Sequence, residues 1–298
     1  MTARALVLPD RAAWLAARRE GIGGSDAAAA LGLSPYRTPL ELYAEKRGLL
    51  EANVESEAMR WGRILEPAVA DRYVEETQRT LGPAAPFTIL VHPERPYLRA
   101  TLDREILAAD GKVVPAVLEV KTTNAFRADD WLEEPPPHVL IQGQHQLLVT
   151  GRAWVSFAVL IGGQTFRWAD CDRNDAFIAA LQERLAAFWR RVELHDPPPP
   201  VAEDRDVLAL LYPKEDPERI VDLPAIASTW DSDRDVALAE LKKWQRVRDT
   251  AEAQIKAAMG EAESGYLPDG GRYTWRTVTR EEYVAPATRY RQLRRLKT

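Results

Sequence analysis

Apolar positions along the chain follow two periods, and the places where the period changes mark out its elements. In the first eighty residues the spacing is helical. Residues 11–20 form one amphipathic stretch that stops at Gly21. Gly21-Ile22-Gly23-Gly24-Ser25-Asp26 then reads as a flexible loop whose Ser25 or Asp26 can cap a short helix from Ala27 to Leu31. Thr38-Pro39-Leu40-Glu41 is an N-terminal signature for a helix over 39–47. A longer helix over about 55–78 places Trp61, Leu65, Val69 and Tyr73 at four-residue steps on one face. Beyond it the period falls to two. Phe87 to Val91 is strand-like, and Tyr97 to Leu107 and Val113 to Lys121 flank Asp110-Gly111, a hairpin signal. A helix over 136–150, strands from Trp154 to Ile161 and Thr165 to Asp170 around Gly162-Gly163, and a helix from Asp175 to Glu193 follow. This order predicts an α/β (α+β) core: a central mixed sheet flanked by helices.

Four consecutive prolines, Pro197 to Pro200, cannot continue a helix and favour an extended spacer. They place the core at 1–196, a proline-rich connecting segment at 197–230 and a C-terminal extension at 231–298. The extension reads as a long helix over about 233–263, with Leu241, Trp244, Ala251 and Ile255 spaced for packing. A hairpin from Tyr266 to Val284 around Asp269-Gly270-Gly271 and a basic tail complete it. From Arg272 to Lys297 there are eight basic residues against two acidic ones, a concentration suited to phosphate although the 298-residue chain carries a net charge of −5. The single cysteine, Cys171, excludes an intrachain disulfide and a cysteine-ligated zinc or iron–sulfur site. No apolar stretch is long enough for a membrane span or a signal peptide, so the cytoplasm is the expected compartment.

Chemistry concentrates in Val117-Leu118-Glu119-Val120-Lys121. On a strand, Glu119 and Lys121 share a face about 6.5–7 Å apart, while Leu118 and Val120 face the other way. Asp103 ends the preceding strand run. A two-residue turn at Asp110-Gly111 pairs position 103 with 118, on the wrong face; a three-residue loop, or a bulge near Pro115, shifts the parity and sets Asp103 beside Glu119. Two carboxylates on one face repel each other unless a cation lies between them, and such hard oxygen donors suit Mg²⁺, with Mn²⁺ as a substitute; the Val120 carbonyl is a possible further ligand. A lysine beside such a metal can orient a water and stabilise charge developing on a phosphate. Glu66 lies at the margin of the 55–78 helix's apolar face, within reach of the sheet edge. In Gln142-Gly143-Gln144-His145-Gln146, positions 142 and 146 share a helical face. The glycine-rich loop at a helix N-terminus is a ready anion site.

The order Gly-Ile-Gly-Gly-Ser25-Asp, Trp-Gly-x-x-x-Glu66, Asp103, Glu119-x-Lys121 and Gln142-x-Gln144 resembles the YqaJ-type viral recombinase nucleases, relatives of phage lambda exonuclease in the PD-(D/E)XK superfamily. The resemblance covers about residues 11–193 and implies a restriction-endonuclease-like core. It further implies that Asp103 and Glu119 bind metal with Glu66 completing the site, that Lys121 is the catalytic lysine, and that Gln142 supports it. Arg19 and Ser25, with Gln144, would contact DNA and the 5′-phosphate of the degraded strand; Arg18 adjoins Arg19, so the register of that arginine is open by one. The implied activity is a metal-dependent exonuclease that resects duplex DNA ends 5′→3′ for phage-type recombination in a bacterial host, beside a single-strand annealing protein, with a homo-oligomer as one implied assembly. The alternatives are a structure- or sequence-selective endonuclease on the same core, or a noncatalytic DNA-end binding protein.

Overall fold

The computed structural model describes residues 3–50, 56–109, 112–279, 293 and 295. The chain divides into two compact units, one running to Pro213 and the other from Lys214 onward.

In the first unit, a five-stranded sheet has the order β2 (Thr80–Leu81), β5 (Arg104–Ala109), β6 (Lys112–Thr123), β7 (Trp154–Ile161), β8 (Thr165–Asp172). Only β6 and β7 run parallel, so the sheet is mixed. The crossover between these two strands carries α5 (Pro137–Thr150), as a parallel connection requires. A smaller antiparallel sheet joins β1 (Arg4–Val7), β3 (Thr88–Val91) and β4 (Arg99–Ala100).

The alternation along β6 assigns its residues to two cores. Val117 packs with Val155 and Phe157 of β7 in the cluster built from α2 (Gly24–Ala30), α3 (Pro39–Lys46), α5 and α6 (Asp175–Leu194). Leu118 and Val120 pack on the other side with Val69, Ala70 and Tyr73 of α4 (Glu57–Thr77). Helices therefore cover both faces of the sheet, and Glu119 points to the α5 side. The expected stripe on α4 begins later than its spacing suggests: Val69 and Tyr73 are buried, whereas Trp61 is 54% exposed.

The hairpin β5–β6 contains the register shift on which the site depends. Near the turn, Ala109 pairs with Lys112 and Ala108 with Val113; beyond it, Ile106 pairs with Ala116 and Arg104 with Leu118. One residue of β5 thus lies opposite two of β6 at Val114-Pro115, a bulge that adds one to the register and carries position 103 to the level of 119. Asp110 and Gly111 lie outside the described residues.

Two boundaries that bear on the site differ from the sequence reading. The short helix starts three residues earlier, at Gly24, with Gly23 at its N-cap, so Ser25 and Asp26 lie in its first turn. The core does not end before the prolines. A further helix, α7 (Arg205–Leu211), buries Val207 in the main cluster, and Thr38 Oγ1, at the N-cap of α3, donates to the fully buried Asp204 carboxylate. The proline run is a strap across the surface rather than a domain linker, because the segment after it still has apolar side chains to bury.

The second unit contains α8 (Ala227–Met259) and a hairpin of β9 (Ser264–Tyr266) and β10 (Arg272–Thr274). The helix begins and ends a few residues earlier than expected, and none of its residues is buried. Most of the basic tail lies outside the described residues; Arg295 bridges Asp231 at 2.8 Å and Asp235 at 2.6 Å on α8. Among the described residues no helix is long and apolar enough to cross a membrane.

Candidate active site

Strand β5 leaves the sheet at Arg104, while β6 continues beside β7 to Thr123. Where β5 departs, the Asp103 carboxylate takes over: its Oδ2 accepts the Val120 N–H at 2.7 Å. This places Asp103 beside Glu119, which is 3% exposed and faces α5. Glu119 is held by three donors. Lys121 Nζ donates to Oε1 at 2.6 Å, Gln142 Nε2 donates to the same oxygen, and Gln146 Nε2 donates to Oε2 at 2.6 Å. Gln142 Oε1 in turn accepts from Lys121 Nζ at 3.1 Å, so the glutamine fixes both members of the Glu119–Lys121 pair.

Electrostatics set the two neighbours apart. Burial, and next the adjacent Glu119 charge, push the Asp103 carboxyl well above the usual carboxylate range; Glu66 adds to this, while Lys121 and the Val120 N–H oppose it. Burial works against the Lys121 ammonium, but Glu119 and then Asp103 outweigh it and hold the lysine protonated. The repulsion on Asp103 is the kind that a divalent cation between two carboxylates relieves. All-oxygen donors of this type fit Mg²⁺ or Mn²⁺. Glu66 is close enough to act on Asp103, but its Oε1 is engaged by Arg104. Among the described residues, accordingly, no three His, Cys, Asp or Glu side chains are gathered as a metal-ligand set.

A cavity of about 170 Å³ joins this cluster to the glycine-rich loop. Asp103, Glu119 and Gln142 line it together with Gly23, Gly24 and Ser25. The arginine here is Arg18, at the end of α1 (Arg11–Arg19): its Nη2 donates to Ser25 Oγ at 3.1 Å and its guanidinium lies 4.7 Å from the centre of the Trp14 ring. Trp14 also lines the cavity, and its buried Nε1 has no hydrogen-bond partner among the described residues. Arg19 is not part of the lining; one step along a helix turns a side chain by about 100°. Gly21 allows the loop to reach this position, since a Cβ there would lie 2.5 Å from the Tyr97 carbonyl oxygen.

Gln144 also departs from its expected role. It points away from the cavity, donates to the Asp172 carbonyl at 2.7 Å and accepts the Asn174 N–H at 2.9 Å, tying α5 to the start of α6. Gln146, on the Gln142 face, reaches Glu119 instead. Trp14 and Arg99 in the lining and Gln146 behind Glu119 are among the residues to which no role had been assigned. The signal for Gln146 was its four-residue offset from Gln142; nothing local singled out Trp14.

Residues 13–153 match the model of the YqaJ-like viral recombinase domain. The YqaJ protein of Bacillus subtilis (strain 168) is 32% identical over 274 residues, an alignment covering 89% of this chain and 83% of that protein. Among solved structures, an alkaline exonuclease from Laribacter hongkongensis is similar at a TM-score of 0.52 and 23% identity, over 62% of this chain and 94% of that one. Its complex with dAMP gives the same TM-score at 24% identity, over 67% of this chain and all of that one. These structural likenesses show a shared fold.

Proposed function

The chain belongs to the YqaJ-like viral recombinase family, and from that premise we propose that it is a metal-dependent deoxyribonuclease that degrades duplex DNA from its ends in phage-type homologous recombination. The observation that carries this reading is the convergence of Asp103, Glu119 and the Arg18–Ser25 pair on one cavity, with Lys121 bonded to Glu119 beside it. A carboxylate pair with a lysine serves phosphodiester hydrolysis, and a cation with a hydroxyl on the same cavity serves a terminal phosphate.

Asp103 and Glu119 would hold Mg²⁺, or Mn²⁺ in its place, with the Val120 carbonyl and Glu66 as further ligands once Glu66 releases Arg104. The bound metal would supply charge neutralisation at the scissile phosphate and lower the pKa of a bound water. Lys121, kept protonated, would orient the attacking water and stabilise charge on the phosphoryl oxygens. Gln142 would hold Lys121 in that orientation, and Gln146 would hold the Glu119 carboxylate. Arg18 and Ser25 would grip the 5′-phosphate of the strand being removed, which gives resection 5′→3′ and leaves a 3′ single strand. The implied partner is a single-strand annealing protein, the implied compartment the cytoplasm of a bacterial host, and a homo-oligomer is compatible with processive work on duplex ends.

The test is digestion with Mg²⁺ of linear duplexes, each end labelled separately, beside covalently closed circular duplex. The expected result is release of label from 5′ ends, faster with a 5′-phosphate than with a 5′-hydroxyl, and no attack on the closed circle. Cleavage of the closed circle would replace this reading with an endonuclease, and binding of ends without hydrolysis in Mg²⁺ or Mn²⁺ would replace it with an end-binding protein.

A further inference from the structure

Behind the Arg18–Ser25 end of the cavity lies a buried charge network that the reaction does not use. Lys46, the last residue of α3, has a fully buried side chain, and Asp26, in the first turn of α2, is 1% exposed. Their ion pair is 2.6 Å long. The same ammonium donates to the Arg18 backbone carbonyl at 3.0 Å. The same Asp26 oxygen accepts the Gly23 N–H at 3.0 Å, while its other oxygen accepts from Arg37 at 3.3 Å. Arg37 in turn pairs with Glu45.

The topology of these contacts matters more than their number. Arg18 and Ser25 stand on two different helices joined by a glycine-rich turn, and only one side-chain hydrogen bond links them directly. Lys46 holds the backbone of the first residue from behind. Asp26, bonded to Lys46, holds the turn that leads into the second. A third helix thereby clamps both halves of the cavity end. A buried ion pair is a poor device for stability alone, because desolvation consumes most of its attraction and an apolar pair of similar volume serves a core as well. Its advantage is directional: hydrogen bonds to Gly23, Arg18 and Arg37 fix how the paired groups sit against their neighbours.

We propose that Lys46 and Asp26 are positioning residues that hold the Arg18 guanidinium and the Ser25 hydroxyl at the spacing required by a terminal phosphomonoester. This rests on the reading of that cavity end as a terminal-phosphate site. Neither residue touches DNA; both act through the helix ends they clamp.

The experiment is steady-state kinetics of the full chain on duplexes with 5′-phosphate or 5′-hydroxyl ends, together with the circular dichroism spectrum and thermal melt of each variant. Arg18→Ala tests the underlying reading: if it leaves the preference for phosphorylated ends intact, the cavity end is not a phosphate site. Lys46→Met removes the ammonium and keeps the stem, and Asp26→Asn keeps an acceptor for Gly23 and removes the charge. The double variant Asp26→Asn/Lys46→Met leaves no single unpaired charge between the two. Folded Lys46→Met is expected to raise KM for phosphorylated ends about tenfold, with kcat and the KM for hydroxyl ends within about twofold of the parent. Asp26→Asn should show a smaller change in the same ratio. If Arg18→Ala abolishes the preference while folded Lys46→Met and the double variant keep it, the positioning role is overturned and the phosphate site stands. Equal losses on both kinds of end, or failure of all three variants to fold, would likewise overturn it, since the network would then serve the core alone.

Discussion

Glu119 carries the sharpest consequence of the geometry, because its two oxygens meet Lys121, Gln142 and Gln146 at once. Glu119→Gln preserves volume but removes the charge that would hold a cation, and it turns an amide toward donors that need an acceptor. Cleavage in Mg²⁺ should fall at least about a hundredfold, while DNA binding, measured by fluorescence anisotropy, is kept or tightened as repulsion from the phosphate is lost. Near-parental cleavage would show that the metal is held elsewhere. Lys121→Ala should abolish cleavage equally and leave metal affinity, measured by calorimetry, close to the parent, since an ammonium is no ligand; equal loss of metal affinity in Lys121→Ala and Asp103→Ala would reduce the cluster to a structural ion pair. His145 gives a prediction about stability. It is fully buried, its Nε2 lies 2.9 Å from the Arg99 carbonyl oxygen, and burial above all holds its pKa below the usual imidazole value. Above the unfolded pKa of about 6.5 both states are neutral there and His145 contributes no pH dependence. Below it the unfolded chain binds a proton that the folded chain refuses, so stability falls with pH by up to about 1.4 kcal/mol per unit until the folded pKa is reached. Thermal melts from neutral to mildly acidic pH should show this slope, and His145→Gln should flatten it.

Secondary-structure elements were legible in the sequence wherever period and register were both local. Strand β7 has the boundaries expected of a strand that ends at the Gly162-Gly163 turn, and α5 and α6 differ by a residue at one end. The Asp103–Glu119 partnership was legible only as a condition, because parity in a hairpin depends on a bulge that composition does not announce. Gln142 and Gln146 share the face that the helical spacing predicts and both meet Glu119, whereas Gln144, two positions on and about 200° away, anchors α6. The same helix supplies a prediction from close packing. Gly143 lies between the two glutamine faces, and a Cβ there would come within 2.4 Å of Phe157 Cζ and 3.0 Å of Val155 Cγ1. Phe157 is 1% exposed and has no room to retreat. Gly143→Ala should therefore cost about 1–3 kcal/mol by urea denaturation despite the better helix propensity of alanine. It should also lower kcat, since it pushes Gln142 and Gln146 away from Glu119. A variant as stable and as active as the parent would mean that α5 is free to shift against β7.

At the scale of the molecule, the boundary of the first unit decides how its cavity is supported. Counting prolines put that boundary near residue 196, but a proline run only forbids regular structure and says nothing about whether the chain beyond it has apolar surface to bury. Here it does: Val207 is buried, and Leu208 and Leu211 are packed partly against the same cluster. Asp204, fully buried, accepts from Thr38 and from the Val201 N–H, the latter at 2.7 Å. Thr38 is the N-cap of α3 and accepts the Glu41 N–H at 3.0 Å, and α3 ends in Lys46 behind the Arg18–Ser25 pair. The segment after the prolines thus braces the helix that braces the cavity. Two truncations separate this view from the one in which the prolines end the core. A chain ending at Pro213 keeps every contact of the first unit and should melt within about 2 °C of the parent's first-unit transition, within the scatter expected for changes that leave a core untouched. A chain ending at Asp196 lacks Val207, Leu208 and Leu211 and exposes the apolar surface they cover, a loss of about 3 kcal/mol. For a unit of this size that lowers the melting temperature by about 6–12 °C. It should also weaken the preference for phosphorylated ends more than it weakens turnover on hydroxyl ends, because α3 loses the partner of its N-cap. Equal melting of the two truncated chains would return the boundary to the prolines and leave α3 braced by its own contacts alone.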